Sequence, residues 1–175
     1  IFGANEQNAD PLTADADLRW YRRVTIAWVP VQLVMIFGLI WFVQSGATLS
    51  GWEKAGLFFA VGVLSGTVGI VYAHELMHQR SRLERRLADL LLATVLYSHF
   101  RSEHLLVHHR HVGTPADAVT ARYNEGFHRF FPRVLRQSAT SAFRAEAKML
   151  ARKGLSRWHP SNPFWRYAAL QGACL

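Results

Sequence analysis

Two histidine clusters hold the residues of this chain whose types and spacing best suit chemistry. The first is His74-Glu75-Leu76-Met77-His78 and the second is Glu103-His104-Leu105-Leu106-Val107-His108-His109. On a helix, residues four apart lie one turn apart on one face. His74 and His78 can therefore reach a single ion, and so can His104 and His108, with His109 a neighbour around the helix. A lone histidine is ordinarily structural. Five at ligand spacing, beside membrane-length apolar runs, are not explained by packing, and ionisable groups there are costly and functional. An all-imidazole set suits zinc, copper, iron or nickel by ligand softness. Five imidazoles exceed what one tetrahedral zinc needs, which points to two metals or to one with further ligands elsewhere. With carboxylates close by, two irons are the natural expectation, and with them O2 chemistry on a lipid-like substrate. His-Glu-Leu-Met-His also fits the zinc-protease pattern H-E-x-x-H, with Glu75 as general base. That alternative leaves His104, His108 and His109 without a role.

The elements that must position these residues are written in apolar runs. Val24 to Val43 holds twenty residues without a charge, and at 1.5 Å per residue it matches the roughly 30 Å hydrocarbon core of a bilayer. Pro30 inside it is tolerated in a membrane helix. Residues 44–54 read as a turn, and Ala55 to Ala73 as a second spanning run, rich in small residues that permit close helix contact. The pair forms a helical hairpin. Arg19, Arg22 and Arg23 precede it, Arg80, Arg82, Arg85 and Arg86 follow it, and only Lys54 lies between. This asymmetry sends both outer ends, and the first histidine cluster, to the cytoplasm. Leu87 to Phe100 is too short to cross and reads as a surface or re-entrant helix between the clusters. From about 130 to 152 apolar and basic residues alternate at helical spacing, predicting an amphipathic surface helix. A possible further spanning helix starts at 164.

Composition narrows the class. The chain has 175 residues and a net charge of +8. Its basic residues flank the apolar runs, the distribution of a membrane protein and not of a nucleic-acid binder. A single cysteine, Cys174, excludes a disulfide framework within the chain and a cysteine-ligated zinc or iron–sulfur site. The polar first eighteen residues, with Asn8-Ala9-Asp10-Pro11 as a turn signal, begin without Met, and the last residues are apolar; the chain reads as a piece of a longer polypeptide. The fold class is all-α: a polytopic membrane helical bundle with a histidine-box di-metal site, present as a fragment. The cytoplasmic metal-binding region spans about 74–128.

At this point the motifs resemble those of the integral-membrane alkane monooxygenases, within the membrane fatty acid desaturase and hydroxylase superfamily. His74 to His78 is similar to the first histidine box of that family, and Glu103 to Arg110 to the second. His111-Val-Gly-Thr-Pro-Ala-Asp117 resembles the Thr-Pro-acid segment that follows the second box in alkane hydroxylases. The resemblance implies two non-haem iron ions, with ligand roles for His74, His78, His104, His108 and His109, and O2 as co-substrate. It implies hydroxylation of a terminal alkane carbon or similar hydrophobic chain, with fatty-acyl desaturation as the nearest alternative. Electrons would come from rubredoxin or ferredoxin and an NAD(P)H-dependent reductase, and the setting would be the inner membrane of a bacterium. A later single histidine and a third box are missing, and neither His128 nor His159 matches them, so the fragment alone is expected to be inactive.

Four further residues are candidates to hold the ligand imidazoles from behind: Glu75, Glu103, His111 and Asp117. Metal-bound imidazoles usually donate their other N–H to a carboxylate or carbonyl, which fixes the tautomer. The plain alternative for each carboxylate is a surface ion pair with one of the many arginines. His111 stands where some relatives of the family carry an acidic residue, and Met77 where a small residue is common. His99, in an apolar run, is expected to hydrogen-bond within the helix packing.

Overall fold

The computed structural model describes residues 19–45 and 48–175. The N-terminal turn signal lies outside the described residues, as does part of the expected turn at 44–54. Every regular element among the described residues is helical. Helix α1 is Arg19–Gln44 and α2 is Gly51–His78, both long and apolar enough to cross a membrane. Each outruns the uncharged stretch that predicts it. The first takes in the aromatic and basic residues of 19–23, and the second starts at a capping box. There the Ser50 hydroxyl accepts from Glu53 N at 3.3 Å, and Ser50 N donates to Glu53 Oε2 at 2.8 Å. Trp41 is 72% exposed and Phe59 is 75% exposed. Large apolar side chains standing clear of the protein along two such helices suit hydrocarbon surroundings and not water.

Helix α3 is Arg82–Thr94, α4 covers residues 100–111, α5 is Phe127–Ala151 and α6 is Pro163–Ala173. The core lies where α1, the histidine end of α2 and α3 meet: Val29, Ala73, Leu76, Met77, Ala88, Leu91 and Leu92 are buried together. Met77 thus packs beneath the first cluster. α3 begins five residues earlier than the apolar run suggests and stops before Phe100. Its end is a Schellman turn, with Tyr97 N bonded to Leu92 O at 2.9 Å and Leu96 N to Ala93 O at 3.0 Å. Leu96 takes the left-handed position with φ 55°, where glycine is usual. Without the glycine, the stop signal is absent from the sequence.

Polar groups tie the helices together. Arg22 makes a two-pronged bond to buried Glu84, with Nε to Oε1 at 3.0 Å and Nη2 to Oε2 at 2.7 Å, joining α1 to α3. Buried Asp89 of α3 accepts from Arg101 of α4 at 2.8 Å and from Arg166 of α6 at 3.0 Å. Gln32 is fully buried inside α1; its Oε1 accepts from Trp28 Nε1 and its Nε2 donates to Thr94 Oγ1, each at 2.8 Å. Its carboxamide fills the space that a Cβ at Gly69 would need. Only glycine lets α2 approach α1 this closely.

Candidate metal centre

The two histidine boxes meet where the end of α2 faces α4. His74, His78 and His104 each offer a ring nitrogen, and the three atoms lie within 4.8 Å of one another. His104 Nε2 is 2.9 Å from His74 Nε2 and 2.9 Å from His109 Nε2. His78 stacks on His109 at 5.0 Å between ring centroids. His108 stacks on His104 at 5.2 Å, beside the convergence.

The backbone explains why His109 belongs to this group. Residues His104–His108 form a π-helical turn inside α4. A π turn pairs i with i+5, so His109 comes to lie over His104. Spacing read as a regular α-helix makes His109 only a sideways neighbour. α2 carries a second π turn, Ser65–Gly69, just before the first box. Such turns occur often at functional sites.

The donor set fits a metal ion. His104 Nε2 cannot serve both neighbouring nitrogens by donating one proton. Burial, followed by the fields of His74, His109, His108 and His78, drives the His104 pKa down to about 3. The ring is therefore neutral at pH 7, with its lone pair available to a cation. His74 Nδ1 lies 3.3 Å from Glu75 Oε1, which places the proton on Nδ1 and frees Nε2. His108 Nδ1 donates to Asp117 Oδ2 at 2.9 Å, with the same result.

The four residues expected behind the imidazoles divide sharply. Asp117 is buried against His108 instead of pairing with a surface arginine. Burial raises its pKa, but bonds from Thr120, His108 and Val119 N outweigh that and leave it below the usual value. Glu75 touches His74 but is exposed. Glu103 is fully buried, and neither carboxylate oxygen has a hydrogen-bond partner among the described residues. Burial lifts its pKa to about 7; nearby Asp117 adds to the rise and His108 opposes it. His111 closes α4, its carbonyl accepting from Thr114 N at 2.9 Å and Thr114 Oγ1 at 2.6 Å. Its ring takes no part in the imidazole contacts among the described residues. His99 bonds Ser138 of α5 at 3.3 Å and meets the Tyr97 ring edge-on. Sequence reasoning missed Thr120 and the Val119 amide, which hold the Asp117 carboxylate at 2.6 and 3.1 Å. The signal for the Val119 contact is local, since an aspartate in a turn commonly accepts from the backbone amide two residues on.

An apolar cavity of about 780 Å³ is lined among others by Phe58, Gly62, Gly66, Ile70, Leu96 and Phe131. The small-residue stretch of α2 forms one of its walls. Ile70 precedes His74 by one turn of α2.

Helices of membrane-spanning length ending in a cluster of converging imidazoles define a class: integral-membrane enzymes of the histidine-box type. The chain belongs to the fatty acid desaturase family, whose pattern matches residues 50–175. It is 37% identical over 178 residues to alkane 1-monooxygenase 1 of Pseudomonas aeruginosa, covering 97% of this chain and 46% of that protein. It is 35% identical over 166 residues to alkane 1-monooxygenase 2 of the same organism, covering 94% and 44%. To the hydroxylase component of xylene/toluene monooxygenase from Pseudomonas putida it is 30% identical over 158 residues, covering 89% and 41%. The chain thus spans less than half the length of these relatives. All three relatives are named as monooxygenases or as a component of one.

Proposed function

We propose that the whole protein is an O2-dependent hydroxylase that inserts one oxygen atom into an unactivated C–H bond of a hydrophobic chain, with a terminal alkane carbon as its substrate. The observation that carries this reading is that one helix, α2, both walls an apolar cavity and ends in the histidine cluster. Gly62, Gly66, Ile70 and His74 follow one another in steps of four. In a regular α-helix each such step drifts by about 40°, and the wider turn at Ser65–Gly69 takes up part of that drift. An apolar chain lying along α2 in the cavity would run toward the end of the helix that carries His74 and His78. Its size falls within the range of roughly 300–1,000 Å³ typical of ligand pockets.

His74, His78, His104, His108 and His109 are five ligands of a non-haem di-iron centre, and the remaining ligands belong to a part of the protein outside this chain. Bound iron supplies the activation of O2. Glu75 and Asp117 hold the Nδ1 protons of His74 and His108, so that Nε2 of each stays free to ligate. The apolar walls exclude water and leave shape alone to select the chain. The overall balance is R–H with O2, two electrons and two protons giving R–OH and water. The electrons come from rubredoxin or ferredoxin and its NAD(P)H-dependent reductase. An acidic donor would be drawn to Arg80, Arg82, Arg86 and Arg110, which stand exposed beside the two boxes. The charge asymmetry about α1 and α2 supports an inner-membrane setting with the centre facing the cytoplasm.

The matched family also favours a second reading, fatty-acyl desaturation. The test uses the full-length protein in membranes with a reductase system, offered octane, hexadecane and a fatty-acyl ester under 18O2. An alkanol carrying one labelled oxygen supports the hydroxylase. A new double bond with no label assigns the desaturase. No oxidation, with zinc in place of iron in the purified protein, overturns both.

A further inference from the structure

Asp117 sits in a stretch with no regular structure, residues 112–126 between α4 and α5. An irregular segment has no internal ladder of hydrogen bonds to keep its shape, so something else must hold a carboxylate there within bonding distance of His108. The side chain that does so is Arg133, in the second turn of α5. Its Nη1 donates to Ala118 O at 2.8 Å and its Nη2 to Thr120 O at 3.2 Å. Its Nε and Nη2 form a fork on the two oxygens of Glu125, each at 2.6 Å. Nη1 also reaches Gln137 Oε1 at 3.2 Å. A guanidinium has five N–H donors in a rigid plane, and all five are used here. Four of them fall on the segment that carries Asp117. Arg133 and Glu125 are both largely shielded, with side chains 12% and 8% exposed.

The chain of contact is continuous. Arg133 grips the carbonyls of Ala118 and Thr120. The Thr120 hydroxyl donates to Asp117 Oδ2 at 2.6 Å, and Val119 N to Asp117 Oδ1 at 3.1 Å. Asp117 Oδ2 in turn receives the His108 Nδ1 proton at 2.9 Å. We propose that Arg133 is a positioning residue for the metal centre: by clamping residues 118–125 it keeps Asp117 on His108 and so fixes the His108 tautomer with Nε2 available to the metal. The proposal rests on the reading of His108 as an iron ligand. Arg133 touches neither metal nor substrate. Lysine could not replace it, because a single ammonium cannot span two carbonyls and a carboxylate at once.

The test uses the full-length protein in nanodiscs, loaded with iron. The variants are Arg133→Lys, Arg133→Gln, Thr120→Val, Asp117→Asn and the double variant Arg133→Lys/Asp117→Asn. Exposed Arg136, one turn along α5, provides the control Arg136→Gln. Iron loss to a chelator and the Mössbauer spectrum are recorded, with thermal melting of the iron-free form to check folding. Loss of a residue behind a ligand typically costs about 10–100-fold in metal affinity. Arg133→Lys, Thr120→Val and Asp117→Asn are each expected to lose iron about 10–100-fold faster, with the same altered iron signal and little change in iron-free melting. The double variant should be no worse than Asp117→Asn, because both act through one contact. Arg136→Gln should match the parent. If Arg133→Gln does not fold, Arg133→Lys and Thr120→Val carry the decision. Parent-like iron retention in Arg133→Lys and Thr120→Val, alongside fast loss in Asp117→Asn, overturns the clamp. Full additivity in the double variant also overturns it. If His108→Ala and Asp117→Asn both keep two irons with an unchanged spectrum, the ligand reading of His108 has failed, and the proposal with it.

Discussion

His104 and His109 face each other Nε2 to Nε2 at 2.9 Å, although they stand five positions apart in the chain. In a regular α-helix that spacing leaves side chains about 140° apart around the axis. The π turn His104–His108 closes the difference. One extra residue in a turn thus adds a fourth imidazole to the three contributed by His74, His78 and His104.

This geometry predicts that His109 is a residue of the metal centre in its own right. His109→Ala in the full-length protein should lower bound iron to one or fewer per chain, whereas His128→Ala should leave two. His128 lies on α5 against Phe127, away from the cluster. Metal analysis of the purified variants decides, and equal iron in the two would remove His109 from the centre.

The cavity wall offers a test of chain-length selection. A Cβ at Gly62 or Gly66 meets nothing within 4 Å, so a side chain starts into open space there. Gly66→Leu should fold normally and shorten the longest alkane accepted by several carbons, with kcat on short alkanes retained. Product profiles across a series of alkanes would show it. An unchanged profile would place the substrate elsewhere.

Gly69 should behave in the opposite way. Its Cβ would strike the Gln32 carboxamide, which is already held by Trp28 and Thr94. Gly69→Ala should cost about 1–3 kcal/mol, the usual range for overpacking. Adding Gln32→Ala should return part of that loss, because the colliding group is gone. Melting of the detergent-solubilised protein tests the pair. A double variant less stable than the sum of its two singles would contradict this contact.

The segment clamped by Arg133 should loosen in acid. Hydrogen bonds from Arg133 and from Arg122 N, against a small opposing effect of burial, hold the Glu125 pKa at about 2, down from an ordinary 4.5. A carboxylate depressed on folding contributes stability that is fully present above its unfolded pKa and is lost as pH falls through its folded pKa. The contribution should therefore be complete above about pH 5 and fade between 4.5 and about 2. Amide exchange in residues 118–125, corrected for intrinsic rate, should accelerate between pH 5 and pH 3 more than in α5. Glu125→Gln should remove that difference.

Much of this protein is legible in the sequence because it depends on local composition and period. Uncharged runs of twenty and nineteen residues require helices that satisfy their own backbone in lipid, which places α1 and most of α2. The start of α2 is less legible: the Ser50–Glu53 capping box begins the helix at Gly51, within residues read as a turn. The i to i+4 spacing of His74 and His78 puts both on one face whatever the helix packs against. Other features depend on groups far apart in the chain, and only the tertiary structure decided them. Which carboxylate backs a ligand was one: Glu75, next to His74, remains exposed, while Asp117 is buried on His108 by a loop held from α5. The end of α3 was another, since Leu96 adopts a left-handed backbone that composition alone would assign to glycine. The place of His109 depended on a π turn, which the residue pattern does not mark. Local patterns determine which residues can form helices and offer ligands; contacts across the fold determine which of them share one site.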